Sequence, residues 1–128
     1  MALRILIEII PHSEQRLGVP GDWFWEGDTL HVKISDVEDW RYEFLYARHE
    51  MDEAVLCRNV GITTEEVDAH CLEYKDKPGN PDSFSGYPGA SYQTQHNDAL
   101  AMEWIMSRAL GISWQDYDAA FEKLKEKK

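Results

Sequence analysis

The first third of the chain alternates apolar and polar residues with the two-residue period of β-strands. In the segment 3–10, LRILIEII, isoleucines alternate with charged residues until Pro11 ends the run. The segment 23–35, WFWEGDTLHVKIS, holds two β-prone runs on either side of Gly27, which predicts a hairpin. We therefore expect a small antiparallel sheet at the N-terminal end of the chain.

The rest of the chain has the longer period of amphipathic helices. Capping residues and glycines predict helices at about 38–59, 63–74 and 93–110, and from about 113 to the lysine-rich end. Three of the five prolines lie at about 76–91, where we expect a mobile loop. Strands followed by helices predict an α+β fold, a small antiparallel N-terminal sheet packed on three to four helices, in a single domain over residues 1–128.

Charge and length exclude several classes of function. The 128 residues include 24 acidic and 13 basic ones, and the net charge of −11 repels phosphate backbones and anionic membranes. We therefore expect neither nucleic acid nor a membrane as a partner. The apolar run at the start is too short to span a membrane and no signal-peptide cleavage site follows it. Cys57 and Cys71 are expected to be reduced thiols of a cytoplasmic protein, with a single disulfide between them as the alternative.

The long predicted helix carries a histidine and a glutamate four residues apart. One apolar face runs from Trp40 to Val55, and His49 and Glu53 lie in the centre of a second apolar face. A helix that is apolar on two sides is expected between the sheet and other helices, which would bury both residues at least by half. A buried glutamate needs a cation or a set of hydrogen bonds. Because an imidazole and a carboxylate one turn apart can bind one ion, the spacing predicts metal ligands, with Glu50 as the base for a metal-bound water.

A third ligand is expected on the helix at about 93–110. His96 and Glu103 share one face of it, but seven residues of helix separate them by about 10 Å, so only one of them can join the site as a ligand. We prefer His96, which begins the helix beside the expected loop, and leave Glu103 as a supporting group. His70 lies on an apolar stripe that is more typical of a core position. The alternative to a metal site is that His49 and Glu53 pair as ordinary helix neighbours.

The sequence HEMDE at 49–53 resembles the active-site helix of the zincin metallopeptidases, whose motif is His-Glu-x-x-His, with Glu53 in place of the second histidine. The resemblance implies zinc, or another divalent transition metal, bound by His49, Glu53 and His96. It also implies Glu50 as the catalytic general base, hydrolysis of peptide or amide bonds, and a peptide or protein substrate. The wider segment 42–62, YEFLYARHEMDEAVLCRNVGI, is similar to small proteins encoded by bacteriophages and prophages, which implies a source rather than an activity.

Two other functions remain open from the sequence. A chemistry like that of the magnesium-dependent nucleotide pyrophosphohydrolases would use carboxylates alone, from Glu50, Glu53, Asp98 and Glu103. A non-enzymatic bacteriophage accessory protein would bind a host protein through its acidic surface and hold no metal. Imidazole ligands favour zinc or another transition metal over magnesium, so a small metal-dependent hydrolase is the leading hypothesis.

Overall fold

The computed structural model describes residues 2–74 and 91–125 of the chain. Three strands come first, and they are β1 (Arg4–Ile10), β2 (Gly21–Glu26) and β3 (Thr29–Ser35). Four helices follow, and they are α1 (Trp40–Asn59), α2 (Thr64–Tyr74), α3 (Gln93–Ala109) and α4 (Trp114–Lys125). This order confirms the predicted α+β fold with an N-terminal sheet. The loop expected at about 76–91 lies outside the described residues, apart from residue 91.

The sheet is mixed, and it differs in one strand pair from the antiparallel sheet that the sequence predicts. The expected hairpin is present, because β2 and β3 pair antiparallel around a turn in which Gly27 has a φ of 60°. β1 pairs with β3 in parallel, and the strand order is β1-β3-β2. The connection at 11–20 explains the difference. It is long enough for β2 to lie two strand positions away from β1, and β3 then fills the position between them.

The core lies between the sheet and α1. Leu30, Val32 and Ile34 alternate along β3 and are fully buried on the face toward the helix. α1 begins where the side chain of Asp39 accepts a hydrogen bond from the backbone of Arg41, lies mainly over β2 and β3, and packs along α3. Within residues 2–74 and 91–125, none of the helices is long and apolar enough to cross a membrane.

The expectation that both apolar faces of α1 are covered is correct for the face of His49 and Glu53, whereas the other face is covered only in part. The face that carries His49 and Glu53 is buried against α3 and the sheet. On the other face, Ala47 and Ala54 are buried in the core, and Trp40, Phe44 and Val55 are exposed. The difference arises because α1 covers β2 and β3 and leaves the β1 side of the sheet largely open.

Candidate metal centre

α1 and α3 bring His49, Glu53 and His96 together. Nε2 of His49 lies 3.2 Å from Oε2 of Glu53 and 3.2 Å from Nδ1 of His96. Nδ1 of His96 lies 2.9 Å from the same oxygen of Glu53. One atom from each side chain thus contributes to a nearly equilateral triangle of potential metal ligands.

The triangle has almost the size of one face of a tetrahedral zinc site. Ligand atoms about 2.1 Å from a tetrahedral zinc ion lie about 3.4 Å from one another. The three observed separations are 2.9, 3.2 and 3.2 Å. The three atoms are therefore close enough together to hold one such ion.

The two residues from α1 are buried, as the pattern of that helix predicts. His49 is 6% exposed and Glu53 is 4% exposed, whereas His96 is partly exposed at the first turn of α3. His96 therefore marks the side on which the site approaches solvent.

Trp23 and Tyr117 support the site by donating hydrogen bonds to two of its carboxylates. Nε1 of Trp23 donates a hydrogen bond of 3.1 Å to Oε1 of Glu53, which leaves Oε2 for the two imidazoles. Glu103 Oε1 lies 2.7 Å from Nδ1 of His49, and the hydroxyl of Tyr117 donates to Oε2 of Glu103. Among the described residues the His49 Nδ1 has no regular hydrogen bond, so its contact with Glu103 is an ion-pair contact. A carboxylate at the far nitrogen of an imidazole is the group that commonly orients a histidine ligand.

These contacts fix the charges of the metal-free cluster. Burial lowers the pKa of His49, but the contacts with Glu103 and Glu53 outweigh it and raise that pKa well above its usual value. Burial also acts to raise the pKa of Glu53, but His49 and His96 outweigh it and hold that pKa at about 2. Without a metal, the cluster therefore holds a proton on His49 and a negative charge on Glu53.

Glu50 is buried at the sheet side of the same helix. One of its carboxylate oxygens would lie 3.0 Å from a Cβ at Gly21, and the ring of Tyr46 lies against the same glycine. Burial and the nearby charge of Glu53 raise the pKa of Glu50 well above its usual value. Glu50 thus lies on the sheet side of α1 and is not part of the donor triangle.

The remaining residues considered from the sequence lie outside the triangle. The ring of His70 packs edge to face on Tyr92, with ring centroids 5.5 Å apart. Asp98 is exposed on α3. Cys57 and Cys71 are free thiols.

Sequence reasoning treated the aromatic residues as core, so it missed the roles of Trp23 and Tyr117 in supporting the site. One signal was available, since a buried indole N–H or phenol O–H usually needs a hydrogen-bond partner. Comparisons of the chain with models of protein families, with curated proteins and with solved structures find no match. The function is therefore inferred from the geometry of the site.

Proposed function

We propose that the protein binds one divalent transition-metal ion, with zinc favoured, through Nε2 of His49, Oε2 of Glu53 and Nδ1 of His96. The observation that carries the proposal is the buried triangle of these atoms, with sides of 2.9 to 3.2 Å. Two imidazoles and one carboxylate are a ligand set of catalytic zinc sites. The imidazoles also favour zinc over magnesium.

The balance of buried charge supports a cation at this position. Glu53 and Glu103 are buried in contact with the two imidazoles, and Glu50 is buried on the same helix as His49 and Glu53. Without a metal, two protonated imidazoles would be needed to offset Glu53 and Glu103, and they would direct two N–H groups toward each other, since the facing ring nitrogens are 3.2 Å apart. Around a metal ion both nitrogens present lone pairs instead, and the divalent charge offsets the carboxylates.

We further propose that the metal-loaded protein is a zincin-like hydrolase acting on peptide or amide bonds of a peptide or protein substrate. Zinc at such a site lowers the pKa of a bound water molecule. Glu50 is our candidate to accept the proton of that water, because it follows His49 on α1, is buried, and takes no part in the donor triangle. The two free thiols support a cytoplasmic location, and the likeness of residues 42–62 supports a bacteriophage source.

A non-enzymatic accessory protein that binds a host protein is the second candidate. It is favoured by one observation, namely that the proton held by His49 and the negative charge of Glu53 form an ion pair without any metal. The magnesium-dependent alternative has less support. Asp98 is exposed, and Glu103 contacts His49 and Tyr117 rather than joining the triangle.

Zinc content of the protein purified without a histidine tag tests the metal site. After dialysis against zinc, we expect one ion per chain in the parent and none in the double variant His49→Ala/Glu53→Ala. The matched control is Arg48→Ala/Asp52→Ala, which removes the neighbouring ion pair at the same spacing on α1 and should keep its zinc. Equal zinc content in the parent and in the His49/Glu53 variant would remove the proposal.

Turnover is tested separately from metal binding. The zinc-loaded parent should cleave members of a peptide library, and Glu50→Gln should retain the ion and lose the cleavage. A Glu50→Gln protein that cleaves as fast as the parent would contradict the role of Glu50. A zinc-loaded parent that cleaves no peptide or amide bond would favour the accessory protein.

A further inference from the structure

β1 carries a row of exposed apolar side chains at the edge of the sheet. In the described part of the chain it pairs with β3 alone. Ile5, Ile7 and Ile9 stand beside the fully buried apolar residues of β3, on the face toward α1, yet they are 37%, 46% and 41% exposed. An uncovered apolar edge strand is a template for pairing with another chain.

α1 contributes a second exposed apolar row on the same side of the molecule. Tyr46 and Glu50 face Gly21 of β2. Trp40, Phe44 and Val55 lie about 130° around the helix axis from Tyr46 and Glu50. Because Tyr46 and Glu50 face β2, we infer that these three residues lie on the β1 side of α1. These three side chains are 71%, 40% and 41% exposed.

The two rows together have the area of one side of a stable interface. We call them the β1 patch, and its members are Leu3, Ile5, Ile7, Ile9, Trp40, Phe44 and Val55. Their exposed fractions correspond to about 700 Å² of residue surface, backbone included, compared with apolar patches of about 300–600 Å² on typical monomers. A specific interface buries about 800 Å² on each partner.

We propose that β1 pairs antiparallel with β1 of a second copy of this chain, in a two-fold symmetric dimer whose sheet is continuous across both copies. The register is centred on Leu6, which faces Leu6 of the other copy. In that register Ile5 lies opposite Ile7, and Leu3 lies opposite Ile9. The two-fold axis is perpendicular to the sheet, so both copies of α1 lie on the same face of the continuous sheet. The two β1 patches then meet between the two α1 helices.

The backbone of β1 is compatible with this register. The N–H of Arg4 donates to Asp28, and the carbonyl of Ile10 accepts from Asp36, so the even-numbered residues direct their polar groups toward β3. Successive residues of a strand direct their N–H and C=O groups to opposite sides, so those groups of Ile5 and Ile7 point to the open edge. In an antiparallel pair, residues that face each other in this way exchange both hydrogen bonds.

The charges of β1 favour a second copy over other edge partners. The strand carries one basic and one acidic residue, Arg4 and Glu8, and both are exposed. In the register centred on Leu6, Arg4 of each copy lies opposite Glu8 of the other. Two ion pairs thus form at positions where facing side chains are closest, within a chain whose net charge of −11 otherwise repels its copy.

Sedimentation equilibrium of the full chain and of charge variants tests the dimer. We expect the parent to be a dimer at micromolar concentration. Arg4→Glu places like charges opposite each other twice and should weaken the dimer about tenfold. Arg4→Glu/Glu8→Arg restores opposite charges and should recover the affinity of the parent. A monomeric parent, or a double variant as weak as Arg4→Glu, would overturn the proposal.

Oxidative cross-linking tests the register. Facing residues at the two-fold axis have Cα atoms about 4.5 Å apart, which suits a disulfide. In a Cys71→Ser background, where Cys57 remains fully buried, Leu6→Cys should form a covalent dimer and Ile7→Cys should not. Stronger cross-linking through Ile7→Cys, or none through Leu6→Cys in a protein with the circular dichroism of the parent, would overturn this pairing. Unchanged zinc content in these variants separates the dimer from the metal site.

Discussion

Replacing Glu103 with glutamine should weaken zinc binding about ten- to a hundredfold, although this residue is not a ligand in our account. Oε1 of Glu103 lies 2.7 Å from Nδ1 of His49, and Oε2 accepts a hydrogen bond from the hydroxyl of Tyr117. Both oxygens of the carboxylate are therefore engaged, Oε1 in an ion-pair contact with His49 and Oε2 as the acceptor of a hydrogen bond from Tyr117. Glutamine has the same shape but only one acceptor oxygen, and its other terminal group is a donor.

The amide can serve both neighbours only if the hydroxyl of Tyr117 accepts a hydrogen bond from its NH₂ group instead of donating one. If its oxygen faces Tyr117, its NH₂ group meets Nδ1 of His49, and the imidazole then favours the tautomer with the proton on Nε2. That proton occupies the position from which Nε2 would bind the metal. A ten- to hundredfold loss corresponds to about 1.4–2.8 kcal/mol of binding free energy, which is the usual cost of removing a carboxylate partner from a metal-bound histidine.

Competition with a chromophoric zinc chelator measures the effect in four proteins, namely the parent, Glu103→Gln, Tyr117→Phe and the double variant. Removing the hydroxyl of Tyr117 in the Glu103→Gln background frees the amide oxygen to accept from Nδ1 of His49. The double variant should therefore bind zinc more tightly than Glu103→Gln alone. Equal affinities of the parent and Glu103→Gln would refute the role of Glu103. A double variant weaker than Glu103→Gln would refute the tautomer argument.

Three further outcomes follow from burial and charge. Zinc affinity, measured by the same competition at pH values of about 6 and 8, should rise with pH, because the raised pKa of His49 keeps a proton that the metal must displace; a flat profile would contradict this. Gly21→Ala should lower the free energy of unfolding by about 1–3 kcal/mol in urea titrations, since its Cβ would overlap the ring of Tyr46; an unchanged stability would mean that the ring moves freely. Burial raises the pKa of Cys57 to about 12 and of Cys71 to about 11, so thiol reagents at neutral pH should react far more slowly with the folded than with the unfolded protein; equal rates would contradict the burial.

The fold class could be predicted because each element carries its own period. The alternation in the segment 3–10 and the hairpin around Gly27 are local signals, and so are the glycines that end the helices. The position of β1 beside β3 could not be predicted in the same way. It depends on the path of residues 11–20, and the period of a strand contains no information about which neighbour it takes.

In the candidate site, too, local relations along the chain could be predicted and long-range contacts could not. His49 and Glu53 could be proposed because a spacing of four residues on a helix places two side chains together. His96 could be proposed because it lies in the first turn of α3. The roles of Trp23 and Tyr117 could not, since their partners lie 30 and 14 residues away along the chain. An apolar helix face likewise does not reveal whether the same chain or another molecule covers it.

The most direct test of the central claim is the position of zinc in a crystal of the zinc-loaded protein, located by anomalous scattering at the zinc edge. We predict one peak between α1 and α3, about 2.1 Å from Nε2 of His49, Oε2 of Glu53 and Nδ1 of His96. A zinc-loaded crystal with no peak at that position, or with its zinc held by other side chains, would contradict the account.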